Sequence, residues 1–156
     1  MFGLFLIMPV FSAYAAGLPG ATPLLVGLAI GIYGFGQALL QVPVGVLSDR
    51  IGRHLTISLG LLVFFIGSLV AALAHGMTGI IIGRVLQGMG AVSGASQALA
   101  ADHSDADNRS KVMGIIGVSI GLAFVLAIIL SAPLAAVAGL PGLFGLTAVL
   151  ALGAIV

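Results

Sequence analysis

The chain has 156 residues, 61% of them hydrophobic and 6% charged, with a net charge of +1 and no cysteine. A soluble domain carries roughly a quarter charged residues, so too few polar groups remain here to cover a water-facing surface, and lipid is the expected solvent. The small net charge excludes the dense basic patch of a nucleic-acid binder, and the missing thiols exclude disulfides, zinc–thiolate sites and thiol catalysis.

An α-helix needs about 20 residues to cross a hydrocarbon core of about 30 Å. Six apolar stretches, uncharged except for Arg84 in the fourth, are predicted spans: Phe2–Ala16, Leu24–Leu47, Leu55–Ala74, Gly79–Ala101, Val112–Ala135 and Leu143–Val156. The four central ones are long enough to cross. The first and last are short, which reads as clipped terminal helices of a longer chain. The expected fold is an all-α membrane protein, one six-helix transmembrane bundle over residues 1–156. A rival reading of the first stretch as a signal peptide, cut after Ala13-Tyr14-Ala15, lacks the basic segment such peptides need.

Charges follow the second and fourth spans. Asp49, Arg50 and Arg53 form one cluster, and Asp102, Asp105, Asp107, Arg109 and Lys111 form another. Two spans separate the clusters, so they share a face, which the excess of Lys and Arg makes cytoplasmic. The connections Gly17–Pro23, His75–Thr78 and Val137–Pro141 hold no Lys or Arg, and both chain ends fall on the cytoplasmic side.

Glycine supplies 24 residues. In the second span Gly27, Gly31, Gly34, Ala38, Gln41 and Gly45 follow one helix face, and Gly90/Gly94 and Gly117/Gly121 repeat the small-xxx-small spacing. Such stripes let helix backbones approach closely in lipid, so tight bundle packing is the expectation. Pro9, Pro43 and Pro133 interrupt hydrogen bonding inside spans.

Three groups of side chains carry chemistry. Asp49 and Arg53 sit in the short charged loop Ser48–His54, where a carboxylate can cap a helix end or pair with arginine; a plain topology anchor is the alternative. Arg84 stands alone in apolar sequence, where a guanidinium costs roughly 2.5 kcal/mol or more and usually faces a cavity or a partner. No acid lies in any apolar span, which leaves backbone carbonyls, water, substrate or absent protein as that partner; snorkelling to the nearer interface is the alternative. Tyr33, Gln37 and Gln41 form a stripe at i, i+4 and i+8, and Gln87 follows Arg84 at i+3. These are candidate cavity-lining residues, with interhelical hydrogen bonding as the simpler role. No metal site and no cofactor is expected.

The order Gly45-x-Leu47-x-Asp49-Arg50-x-Gly52-Arg53 resembles the signature loop of the major facilitator superfamily. Arg84-Val85-Leu86-Gln87-Gly88-Met89-Gly90-Ala91 is similar to an element of that superfamily's drug:proton antiporters. Asn108–Met113, Ile116–Gly121, and Ile30–Gly34 with Gln37 resemble its YajR-like branch. The resemblance implies the amino-terminal six-helix half of a twelve-helix transporter, built as a 3+3 inverted repeat. It implies that Asp49, Arg53 and Asp102, with Gly45, Arg50 and Gly52, form a cytoplasmic conformational latch. It also gives Arg84 a role in substrate binding or proton coupling. His54 stands where the family carries Lys or Arg; Ala132, Ala135, Ala136 and Ser12 also depart from the antiporter pattern.

The expected function is proton-coupled efflux of small organic solutes, multidrug efflux by antiport, in a bacterial inner membrane. Its partners are the lipid bilayer, a small-molecule substrate, protons, and a missing carboxy-terminal half or a second copy. Facilitated or proton-symport uptake of a sugar or metabolite is an alternative, and so is an inactive half-transporter or membrane scaffold. An intramembrane enzyme is not expected, because a serine protease needs Ser and His together at membrane depth and His54, His75 and His103 all fall in loops.

Overall fold

The computed structural model describes residues 2–90, 92–105 and 108–155, so Ala91 of the fourth-span motif, Asp107 and Val156 lie outside the described residues. The described chain is helical: α1 (Phe2–Ala15), α2 (Pro23–Ile51), α3 (Arg53–Ala72), α4 (Met77–Met89), α5 (Ser93–Asp102) and α6 (Arg109–Gly153). Among the described residues α2, α3 and α6 are long and apolar enough to cross a membrane, and α1 is a shorter apolar helix.

Helix α2 starts where Thr22 accepts the Leu25 amide (3.2 Å) and Pro23 opens the first turn, a position where its missing N–H costs nothing. It stops at Gly52, whose φ of 97° suits glycine and reverses the chain within one residue. The expected loop Ser48–His54 is therefore almost wholly helical. Ser48 to Ile51 finish α2, and Arg53 and His54 begin α3.

The last two expected spans form one continuous run of helical hydrogen bonding, α6, interrupted only at Gly139, where φ is 64° and ψ −173°. Phe5 packs edge-on against Phe124, while the Thr147 hydroxyl lies 3.3 Å from the Gly3 carbonyl. Along a straight helix Phe124 and Thr147 would stand roughly 35 Å apart. Both touch the first turns of α1, so the chain doubles back at Gly139. The boundaries expected at Ala135 and Leu143 miss this, because nothing except glycine is needed for the turn. Phe11 closes the same seam on Phe144 with ring centroids 6.5 Å apart.

The expected fourth span, Gly79–Ala101, is not one helix. Helix α4 ends at Met89 and α5 starts at Ser93, with Gly90 capping the first and Val92 the second. Gly88, Gly90 and Gly94 around this break have poor helix propensity.

Helix α4 lies between α2 and α3, and close approach on both sides depends on glycine. A Cβ on Gly67 would come within 2.6 Å of the Gln87 amide nitrogen, and one on Gly83 within 2.7 Å of the Gly67 carbonyl. Further along the same seam a Cβ on Gly90 would meet the Gly60 carbonyl at 2.5 Å, and on the other side one on Gly88 would meet the Tyr33 carbonyl at 2.5 Å. The pairs Gly67–Gly83 and Gly60–Gly90 run α3 antiparallel to α4. Ala29–Arg84 and Tyr33–Gly88 run α2 parallel to it.

The stripe expected to pack is a different one. Gly27, Gly31, Gly34 and Gly45, like Gly117 and Gly121, face open space on the outside of the bundle. Spacing alone showed that these glycines share a face but not which neighbour, if any, the face meets.

Replacing Gly67 or Gly83 by alanine is expected to destabilise the bundle by about 1–3 kcal/mol, because the added carbon meets backbone that cannot turn away. Gly17→Ala, whose Cβ would find only the Tyr14 carbonyl at 3.7 Å, should change stability little. Thermal unfolding in detergent compares the three.

Candidate functional site: a buried arginine above a polar-lined cavity

Arg84 is 1% exposed. Its Nε donates to the Ala29 carbonyl at 3.1 Å and one terminal nitrogen donates to Gln87 Oε1 at 3.1 Å. Gln87 Nε2 donates in turn to Ser68 Oγ at 2.8 Å, and Ser68 passes its own proton to the Phe64 carbonyl at 2.8 Å. The chain has one direction throughout: because the serine hydrogen is committed to Phe64, its oxygen accepts the Gln87 amide, which turns Oε1 towards Arg84. Two aromatic faces complete the shell, with the guanidinium carbon 4.7 Å from the Tyr33 ring centre and 5.7 Å from that of Phe11. Arg84 is thus solvated by one backbone carbonyl, one side-chain amide and two rings. Snorkelling to an interface does not occur.

Tyr33 also lines a cavity of about 490 Å³, whose wall does not include Arg84. Its polar lining comes from Tyr33, Gln37, Ser93, Ser96 and Gln97, and its apolar walls include Leu61 and Phe64 of α3 and Ile116 and Ile120 of α6. Gln37 Nε2 donates to Ser93 Oγ at 3.3 Å and so ties α2 to the start of α5. Tyr33 and Gln37 thus stand where the stripe predicted. Gln41 does not line this cavity: it is exposed and lies beside Gly94. Gln87 is buried beneath Arg84, away from the cavity. The stripe drifts because α2 turns past the cavity within two helical turns.

Three lining residues escaped the sequence reading. Ser93, Ser96 and Gln97 recur at i, i+3 and i+4, a helical face that could have been read. Their place inside the single predicted span Gly79–Ala101 hides it. Ser68 gave no signal at all, since a single serine in an apolar helix usually bonds its own backbone.

At the far end of the bundle Arg53 joins the candidate latch. It pairs with Asp49 at 3.0 Å one turn back on α2, and with Asp102 at the end of α5 through its Nε. A third nitrogen reaches Ser48 Oγ at 3.4 Å. Three helices therefore meet on one guanidinium, and Asp49, Arg53 and Asp102 are brought together as expected from the motif. Gly52 makes the meeting possible by placing Arg53 directly after the reversal. Arg50 and His54 are exposed, and Gly45 faces open space; none of the three is drawn into the cluster's contacts.

The family profile described as Major Facilitator Superfamily matches residues 1–156. The chain belongs to that superfamily. It is 48% identical over 151 residues to the inner membrane transport protein YajR of Escherichia coli K12, covering 97% of this chain and 33% of the relative. It is 46% identical over 136 residues to an uncharacterized transporter of Buchnera aphidicola subsp. Schizaphis graminum, covering 87% and 34%. The quinolone resistance protein NorA of Staphylococcus aureus Mu50 is 29% identical over 126 residues, covering 80% and 32%. This major facilitator chain spans about a third of the length of these curated relatives, and it is an all-helical membrane protein whose relatives are named as transporters rather than enzymes.

Ser68→Ala is expected to free Gln87 Nε2 and to cost about 0.6–1.7 kcal/mol, the range of interhelical hydrogen bonds in lipid. Arg84→Ala, which also empties a large buried volume, should cost more than Arg84→Met, which fills it. Denaturant titration of the three variants in detergent gives the order.

Proposed function

We propose that the chain is the amino-terminal six-helix half, a 3+3 inverted repeat, of a secondary transporter in a bacterial inner membrane. In this reading the transporter exports small organic solutes in exchange for protons by alternating access, and both ends of the present chain are cytoplasmic. The observation that carries it is the buried guanidinium of Arg84, placed one aromatic ring away from a cavity lined by hydrogen-bonding side chains. A charge is kept in an apolar bundle at a cost that structure alone does not require, which is the usual mark of an ion pathway or substrate site. The name of YajR, an inner membrane transport protein, supports transport in that membrane, and the name of NorA, a quinolone resistance protein, is in keeping with a drug-like solute.

The roles follow from position. Tyr33 and Gln37 contact solute in the cavity. Arg84, held by Gln87, responds to the proton. Asp49, Arg53 and Asp102, with Gly45, Arg50 and Gly52 shaping the segment, latch one conformation: sliding α5 away from the junction of α2 and α3 breaks the ion pairs. Alternating access needs two bundles moving about a shared site, so a carboxy-terminal half or a second copy supplies the opposite wall.

A second reading is facilitated or proton-symport uptake of a sugar or metabolite, and one fact favours its facilitated form. All four acidic residues, Asp49, Asp102, Asp105 and Asp107, lie outside the apolar spans, so a proton-carrying carboxylate at membrane depth must come from elsewhere.

The test uses the full-length transporter in proteoliposomes. An imposed pH gradient should drive solute against its concentration gradient, collapse of the pH gradient should stop it, and Arg84→Ala should reduce the driven flux by about tenfold or more. Flux that survives collapse sinks antiport in favour of uniport. The 156 residues reconstituted alone should carry no flux; robust flux would mean that two copies suffice. For the latch, Asp49→Asn should raise the accessibility of cytoplasmic positions, read by labelling single cysteines placed in a chain segment that has none of its own.

A further inference from the structure

Arg84 and the cavity are near neighbours that do not touch. The guanidinium is 1% exposed and is absent from the cavity wall, whereas Tyr33 belongs to both: its ring lies over Arg84 at 4.7 Å and the same residue lines the cavity. Every polar group that the described chain offers to the cavity is an uncharged hydroxyl or amide: Tyr33, Gln37, Ser93, Ser96 and Gln97. An anion entering such a space would lose its hydration and find no counter-charge, a penalty that neutral hydrogen-bonding groups offset only in part. With the ring removed, it would find a guanidinium, the side chain best shaped to bind a carboxylate with two parallel hydrogen bonds.

We propose that Tyr33 is the specificity-determining residue of the cavity, shielding Arg84 so that this half of the site selects uncharged amphipathic solutes and rejects carboxylates. The ring serves two ends at once. Its π face solvates the cation from below, which lets the arginine stay buried without an acid beside it. Its bulk keeps the cation's field from the solute. The backbone fixes this arrangement, because the Tyr33 carbonyl rests against Gly88 and cannot withdraw without parting α2 from α4.

This rests on the reading of the cavity as a solute site and not on proton coupling, so the test is equilibrium binding without any gradient. The full-length transporter in nanodiscs is titrated with 2-naphthamide and with 2-naphthoate, matched probes that differ in a neutral amide against a carboxylate, and naphthalene fluorescence reports binding. The wild type should prefer the amide by about tenfold or more, and Tyr33→Phe, which keeps the ring, should keep that preference even where loss of the hydroxyl weakens both probes. Tyr33→Ala should tighten the carboxylate so that this preference falls by about tenfold or reverses, and Tyr33→Leu should move the same way by less. Adding Arg84→Gln to Tyr33→Ala should abolish the gain. An unchanged ratio in both the Ala and Leu variants would overturn the proposal, and so would a wild type that prefers the carboxylate or binds neither probe. A failure of coupling would instead appear as gradient-independent flux with these binding preferences intact.

Discussion

A guanidinium buried in a bundle whose outer solvent is lipid needs acceptors, and among the described residues no carboxylate is placed to provide one. The acceptors at Arg84 are the Ala29 carbonyl on α2 and Gln87 on its own helix, the latter held in place by Ser68 on α3. The contacts to Ala29 and Ser68 cross to neighbouring helices and need close backbone approach. That approach is available because Gly83, directly before the arginine, and Gly88, one turn after it, have no side chain. Gly88 admits the backbone of α2 and Gly83 admits that of α3. The thinness of α4 and its charge are parts of one arrangement, since either glycine replaced by a larger residue would push away a group that solvates the cation. Ala29 can serve although it is already inside a helix, because a carbonyl oxygen has two lone pairs and the helix uses one.

The rest of the bundle is organised inside-out relative to a water-soluble protein. Arg84, Gln87, Ser48, Thr56, Ser68, Ser131 and Thr147 are buried, while Leu24, Phe35, Leu39, Val42, Val118 and Ile129 are exposed. In lipid the apolar outer surface is already at home, so burying it gains little. Association rests on fit and on polar contacts within the bundle. Helix α1 illustrates this, with Gly3 against Thr147 and two edge-on aromatic pairs seating it on both arms of α6.

Charge-bearing features were legible in the sequence because lipid makes each charge expensive and therefore informative. Arg84 could be singled out by isolation alone, and the trio Asp49, Arg53 and Asp102 followed from a motif with a distinctive order. What was hidden depends on which way a helix faces. The glycine stripe of α2 was a correct face with the wrong neighbour, because identical spacing serves a packed seam and an outward one. The seam that does pack α3 on α4 pairs Gly60 with Gly67 and Gly83 with Gly90, and both pairs are seven residues apart rather than four. The break before Ser93 was invisible to a hydropathy reading, since both sides of it are apolar enough to continue.

The one-residue link at Gly52 has a mechanical consequence. Consecutive Cα atoms are about 3.8 Å apart, whereas a helix sliding by one turn moves about 5.4 Å. A single residue holds too little chain to absorb such a step, so α2 and α3 share one displacement along their axes. Axial motion in this bundle falls instead to elements not joined through Gly52, namely α5, and α1 riding on α6. Arg53, standing at the junction and bonded to Asp102, is then the bearing against which α5 turns.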